Sequence, residues 1–209
     1  MHLGLLHIRR TNVKALPKSL TNLYNLQTLI IDYCPCLKEF PKDLQILISL
    51  RHLDIDHQYI EQLPINMGRL TCLQTLHFFV ISQDTGYRIE ELGCLSQLQG
   101  ELRVDNLEHV KDKEEAKTAN LARKIRVHKL GFHWSSERES NNDEDVLEGL
   151  QPHPNLKSLE IVNFGSEKFI VASCPNLRSF PSLFFGVWGY RVLMKFYRLG
   201  CNPVHLFQS

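Results

Sequence analysis

The chain has 209 residues, room for one domain or a short array of repeats. Apolar residues make up 43% and charged residues 22%, the profile of a folded globular chain. A formal net charge of +1 excludes a generic polyanion binder, so neither nucleic acid nor a membrane surface is expected as a partner. Leucine is the outlier at 33 residues, which directs attention to internal repetition.

In chain order, Leu3-x-x-Leu6-x-Ile8 with Val13 and Leu16 superposes on Leu50-x-x-Leu53-x-Ile55 with Ile60 and Leu63, at an offset of 47. The chain is therefore expected to open inside a repeat, as a truncated product or a piece of a larger protein, with an apolar first edge that further chain covers. Leu16-Pro17, Phe40-Pro41 and Leu63-Pro64 then stand 24 and 23 residues apart. The positions that follow agree: Leu20, Leu44 and Met67; Leu23, Leu47 and Leu70; Leu26, Leu50 and Leu73; Leu29, Leu53 and Leu76; Ile31, Ile55 and Phe78. Each unit reads L-P-x-x-L-x-x-L-x-x-L-x-x-L-x-I, within the period of leucine-rich repeats.

After Ile81 the period loosens. Residues 101–105 are expected to form a strand, 106–123 a helix with a solvated charged face, and 127–134 a strand of the earlier type. Residues 135–145, polar and acidic, read as a surface loop; 146–150 read as a short helix stopped by Pro152 and Pro154, and 156–161 as a further strand. Cys174-Pro-Asn-Leu-Arg-Ser-Phe-Pro181 repeats Cys34-Pro-Cys-Leu-Lys-Glu-Phe-Pro41, and the chain then leaves the pattern. Its last stretch reads either as a loosely packed terminus or as a helix capping the array through Val187, Trp188 and Val192. Three regions follow: regular repeats over 1–81, irregular repeats with a helical insertion and an acidic loop over 82–181, and a non-repeat tail over 182–209.

The physical basis of the pattern is alternation. Leu29 and Ile31 share one face of a short strand, while Thr28, Ile30 and Asp32 take the other. Spacing by three, as in Leu20, Leu23 and Leu26, suits a loose 3₁₀ return segment that turns the same side inward. One unit cannot bury its leucines alone, so neighbours stack into a continuous core. The fold class expected is α/β: a leucine-rich-repeat solenoid, a right-handed β-α superhelix that is irregular and truncated at its N-terminus.

The concave face of such a solenoid is the candidate protein-binding surface. Its expected lining is Leu5, His7, Arg9, Thr28, Ile30, Asp32, His52, Asp54, Asp56, Thr75, His77, Phe79, Glu101, Arg103 and Asp105, with Leu5, Ile30 and Phe79 as displayed apolar groups. His7, Asp54, His77 and Arg103 fall on one outward row, Asp54 and His77 on adjacent rungs about 5 Å apart, and Ile30 between His7 and Asp54. That row suits a surface ion pair and lacks the converging ligands of a metal centre. Cys34 takes a structural rung position. The six cysteines show no disulfide framework, no Asn-x-Ser/Thr acceptor occurs, and no signal-peptide pattern opens the chain, so a reduced, cytoplasmic setting is expected. Residues 183–199 carry Arg191, Lys195 and Arg198 and do not suit a bilayer span. No nucleophile, base and oxyanion arrangement is placed, so no enzyme, no cofactor and no small-molecule substrate are expected. Lys124, Arg126, His128 and Lys129 form a basic cluster, a solvated face or a latch onto another domain.

Four stretches resemble the leucine-rich-repeat region of plant nucleotide-binding leucine-rich-repeat disease-resistance proteins of the coiled-coil class. They are Leu16-Pro-Lys-Ser-Leu-Thr-Asn-Leu-Tyr-Asn-Leu-Gln-Thr-Leu; Leu53-Asp-Ile with Ile60-Glu-Gln-Leu-Pro; Leu102-Arg-Val-Asp-Asn-Leu-Glu-His-Val with Glu115-Ala-Lys-Thr-Ala-Asn-Leu; and Val146-Leu-Glu-Gly-Leu-Gln-Pro-His-Pro-Asn-Leu-Lys-Ser-Leu. The resemblance implies a recognition module of intracellular immunity. Its implied partner is a pathogen effector, a guarded host protein, or the nucleotide-binding domain of a receptor. No G-x-x-x-x-G-K-[ST] phosphate loop occurs, so nucleotide binding is not carried over. The alternatives are a substrate adaptor of a ubiquitin ligase or other protein-interaction scaffold, and a cell-surface ectodomain; the motifs each requires are not found in the sequence.

Overall fold

The computed structural model of the chain describes residues 3–58, 62–136 and 142–165, together with the backbone of the strands Lys168–Phe169 and Leu193–Met194. The repeat expected at 174–181 and the tail lie outside the described residues, those backbone pairs apart.

Strands form where the L-x-L alternation places them: β1 (Leu5–Arg9), β2 (Thr28–Asp32), β3 (His52–Ile55), β4 (Thr75–Leu76), β5 (Phe78–Val80), β6 (Gln99–Asp105), β7 (Arg126–His133) and β8 (Ser158–Val162). They pair parallel in two four-stranded sheets, β1-β2-β3-β4 and β5-β6-β7-β8. Leu6, Leu29, Leu53 and Leu76 follow one another in register, and Leu102, Leu130 and Leu159 do the same downstream. Leu29, Leu53 and Leu76 are no more than 2% exposed. The stacked leucine spine expected from the spacing is therefore present, and the solenoid reading of the fold holds.

The return segments change character along the array. The first three are 3₁₀ turns, Lys18–Asn22, Leu44–Ile46 and Met67–Arg69, entering after the prolines or close behind them. Later ones include α-helical turns: α1 (Ile89–Cys94), α2 (Lys113–Lys117) and α3 (Asp143–Gly149). Close approach depends on glycine here. A Cβ at Gly93 would lie 2.1 Å from the Thr118 carbonyl oxygen, and one at Gly149 would lie 2.4 Å from that of Lys113. The helix expected over 106–123 is instead broken into a 3₁₀ turn at Leu107–His109, α2, and a second 3₁₀ turn at Leu121–Arg123. Left-handed Asn106 and Asn120 begin the two 3₁₀ turns, and the Asp112 carboxylate caps α2 by accepting from Glu115 N at 2.9 Å.

Two further expectations are corrected. Residues 143–145, read as loop, open α3, and Asp143 is buried with its carboxylate accepting from Gly165 N at 2.7 Å. Lys124, read as part of a basic surface, is 2% exposed; its ammonium donates to the Leu92 and Leu95 carbonyls, both at 2.8 Å. Those are carbonyls at the C-terminal end of α1, where unpaired acceptors collect. Burial lowers the Lys124 pKa to about 8, opposed by the nearby Cys94 thiol.

Candidate protein-interaction face

The concave side presents every second residue of the strands, and along β1 to β4 it follows the expected row. Leu5 is 55% exposed at the sheet edge. His7, Ile30 and Asp54 fall in one register line, so Ile30 separates the imidazole from the Asp54 carboxylate. His7 turns instead to Asp32 one rung over, with Nε2 2.9 Å from Oδ2, and Arg9 lies 3.9 Å from the same oxygen. Arg9 also stacks near the Tyr33 ring, 5.9 Å from its centroid. His52 Nδ1 sits 3.0 Å from Thr75 Oγ1. His77 Nε2 lies 3.8 Å from Asp54 Oδ1, and Asp56 accepts from Gln58 N at 3.1 Å. Cys34 is buried beneath this row, its thiol 3.3 Å from the Asp32 carbonyl.

Phe79 does not line the face. It is 2% exposed and belongs to the core. The cause is a phase slip at His77, between β4 and β5. Upstream, Leu76 is buried and His77 exposed; downstream, Phe78 pairs with Arg103 and Val80 with Asp105, while Phe79 pairs with buried Val104. His77 and Phe78 thus point to the concave side in succession, and every later residue of the strand is inverted. Backbone continuity survives, because Arg103 N donates to the His77 carbonyl at 2.9 Å and Gln99 N to that of Gln74 at 2.8 Å.

Beyond the slip, the face dips into an open pocket of about 490 Å³ lined by His57, Phe78, Val80, Arg103, Asp105, Asn106, His133 and Trp134. Phe78 lies buried at its base, 3% exposed, with the His57 ring edge-on at 6.0 Å and the Arg103 guanidinium 5.8 Å from its centroid. Arg103 is fixed from the side: Nε and Nη2 donate to Asp105 Oδ2 at 3.0 and 2.8 Å. The other Asp105 oxygen faces His133 Nδ1 at 3.5 Å, and His133 Nε2 faces Glu160 Oε2 at 4.0 Å. Gly131 lets these side chains lie against the sheet, since a Cβ there would stand 3.1 Å from Arg103 Cγ and 3.3 Å from His133 Nε2. The His133 pKa is lowered, first by burial and then by Arg103, against the opposing pull of Asp105 and Glu160.

The expected residues Leu5, His7, Arg9, Ile30, Asp32, His52, Asp54, Asp56, His77 and Arg103 are brought onto one side of the sheet. The sequence reading placed Phe78 with Ile31 and Ile55 as an inward repeat position, and it is buried at 3% exposure, but it did not single out His133 or Glu160. The lengthened step from Leu76 to Leu102, 26 residues where the earlier steps are 24 and 23, was the available signal for a slip. Among the described residues no group of three or more His, Cys, Asp and Glu converges as a metal site, and no helix is long and apolar enough to cross a membrane.

Comparison with known proteins agrees with this architecture. Residues 89–184 match the family described as R13L1/DRL21 LRRs. The chain is 40% identical over 145 residues to the putative disease resistance protein RGA4 of Solanum bulbocastanum, covering 68% of this chain and 14% of that protein. It is 40% identical over 191 residues to the putative disease resistance RPP13-like protein 1 of Arabidopsis thaliana, covering 87% of this chain and 18% of that protein. The chain thus spans less than a fifth of either relative. Among solved structures it is similar to the functional domain of InlJ from Listeria monocytogenes, at 16% identity and a TM-score of 0.48, covering 85% of this chain and 43% of that one. The chain is a leucine-rich-repeat solenoid whose repeats are similar to the leucine-rich-repeat region of plant disease-resistance proteins.

Proposed function

We propose that the chain is the protein-recognition module of a cytoplasmic plant immune receptor, acting through its concave face and carrying no catalytic step. One observation carries this reading: the row from Leu5 to Arg103 displays apolar and charged side chains together on a sheet whose opposite face is a closed leucine core. A partner contacting that row disturbs no core packing, and rigid strand backbones hold the contacts in place at little ordering cost. The similar proteins named as disease-resistance proteins support this reading. Within the receptor the face serves to sense an effector or a guarded host protein, or to restrain the remainder of the receptor until one arrives.

The test is association in trans between this chain and the RGA4 relative from which the matching stretch has been deleted, measured in solution. Association weakened about tenfold or more by Ile30→Arg, with unchanged thermal stability, supports concave recognition. No association, or association indifferent to Ile30→Arg and His77→Ala alike, refutes it.

A further inference from the structure

Charge on the concave face is unevenly compensated. Arg9, Arg103 and Lys129 each lie against a carboxylate, Asp32, Asp105 and Glu101 respectively. Among the described residues, Asp54, Asp56 and Glu160 have no lysine or arginine within ion-pair distance; Asp54 and Glu160 are faced only by the imidazoles of His77 and His133. With those histidines neutral, the face carries an unmatched negative charge, and a pocket lies at His133, which faces Glu160.

The tautomer of His133 sharpens the chemistry. Its Nδ1 faces a carboxylate oxygen of Asp105 at 3.5 Å, and that negative charge favours the proton on that nitrogen. In the neutral ring Nε2 is then an acceptor. It makes no hydrogen bond, and it looks across 4.0 Å at another acceptor, Glu160 Oε2. Two facing acceptors with no proton between them are satisfied by a donor cation from outside. A metal would demand a third ligand, which the described residues do not supply. Glu160 is 41% exposed beside His133, which lines the pocket.

We propose that this pocket receives a lysine or arginine side chain from a basic polypeptide segment lying across the concave face, with Glu160 and His133 as its acceptors. Asp54 and Asp56 meet further cations of the same segment on the neighbouring rungs. This rests on the concave-recognition reading and names the chemistry of the partner. Arg103 does not oppose it, because both its Nε and its Nη2 are spent on Asp105. Protonation of His133 closes the site: Nε2 becomes a donor to Glu160 and competes with the incoming cation. Its neighbours Arg103, Asp105, His57 and Glu160 are the charged and titratable groups that bear on that step.

The test uses the whole 209-residue chain with fluorescein-labelled hexalysine and hexaglutamate as probes, read by anisotropy at low salt. Hexalysine is expected to bind at about pH 8 and hexaglutamate not to bind; lowering the pH to about 5 weakens hexalysine, and His133→Gln abolishes that pH dependence. Glu160→Gln is expected to weaken hexalysine about tenfold, and Glu101→Gln, on a carboxylate already held by Lys129, less than about twofold. Equal loss in the two variants, no hexalysine binding, or preference for hexaglutamate overturns the proposal. Such a failure leaves the concave-recognition reading standing, because that reading is measured at Ile30 and His77, away from Glu160.

Discussion

Phe79→Ala separates the observed strand from an unslipped one. If the alternation of β4 ran on through His77, Phe79 would face solvent on the concave side, and its truncation would change stability by no more than about 0.5 kcal/mol. In the structure its ring is 2% exposed, in register with buried Val104 and next to Ile81 in the core. Removing a fully packed phenylalanine costs about 3–5 kcal/mol, the sum of lost transfer energy and an incompletely collapsed cavity. For a chain of this length each kcal/mol lowers the melting temperature by about 2–4 °C, so a loss on the order of 10 °C is expected. His77→Ala, at a side chain 57% exposed, serves as the paired control and should stay within about 0.5 kcal/mol. Urea unfolding followed by circular dichroism gives both values, and amide exchange in β5 and β6 shows whether the loss is local to those rungs. An unchanged midpoint for Phe79→Ala, or a cost for His77→Ala as large as that for Phe79→Ala, would falsify the slip.

Other expectations follow from contacts on the convex side. Lys124→Met leaves the Leu92 and Leu95 carbonyls without their donor and should cost about 1–3 kcal/mol in urea unfolding. Because the folded pKa of Lys124 is about 8, below its ordinary 10.5, the unfolded chain binds more protons between those values. Wild-type stability relative to Lys124→Met should therefore rise with pH across that window, and a fall would contradict the burial. Asp112→Ala removes the cap on Glu115 N and should destabilise by about 0.5–2 kcal/mol, whereas Asp112→Asn retains most of it; denaturant titration distinguishes the two. Gly149→Ala drives a Cβ against Lys113 O and the Ala116 Cβ, 2.5 Å away, and should cost about 1–3 kcal/mol by the same assay, with a neutral result arguing against the close packing of α2 on α3.

The spine was legible because its cause is one-dimensional. Leucines at fixed intervals stack on their own counterparts, so Leu29, Leu53 and Leu76 were assignable before any coordinate was known. Outward residues of β1 to β3 followed from the same alternation. What lay beyond reach were events that shift phase by a single residue. Phe78 and Phe79 are chemically equal and both buried, and only pairing with β6 decides which of them aligns with Arg103 and which with Val104. A second shift, between Gly100 and Glu101, sits at a glycine with φ +85° and realigns β6 on β7. Lys124 misled for a different reason. A lysine between Arg123 and Arg126 reads as surface by composition, and only the return of α1 beside it supplies the two carbonyls that take it inside.

The slip at His77 also gives the recognition surface a grain. On one side of it a ligand laid along the sheet meets imidazoles and carboxylates at regular heights; on the other it steps down onto the Arg103–Asp105 pair that covers the buried Phe78 ring. A flat, stiff partner cannot follow both levels. Shape alone thus divides acceptable ligands into those that bend or extend a long side chain at that step and those that are turned away whatever their charge.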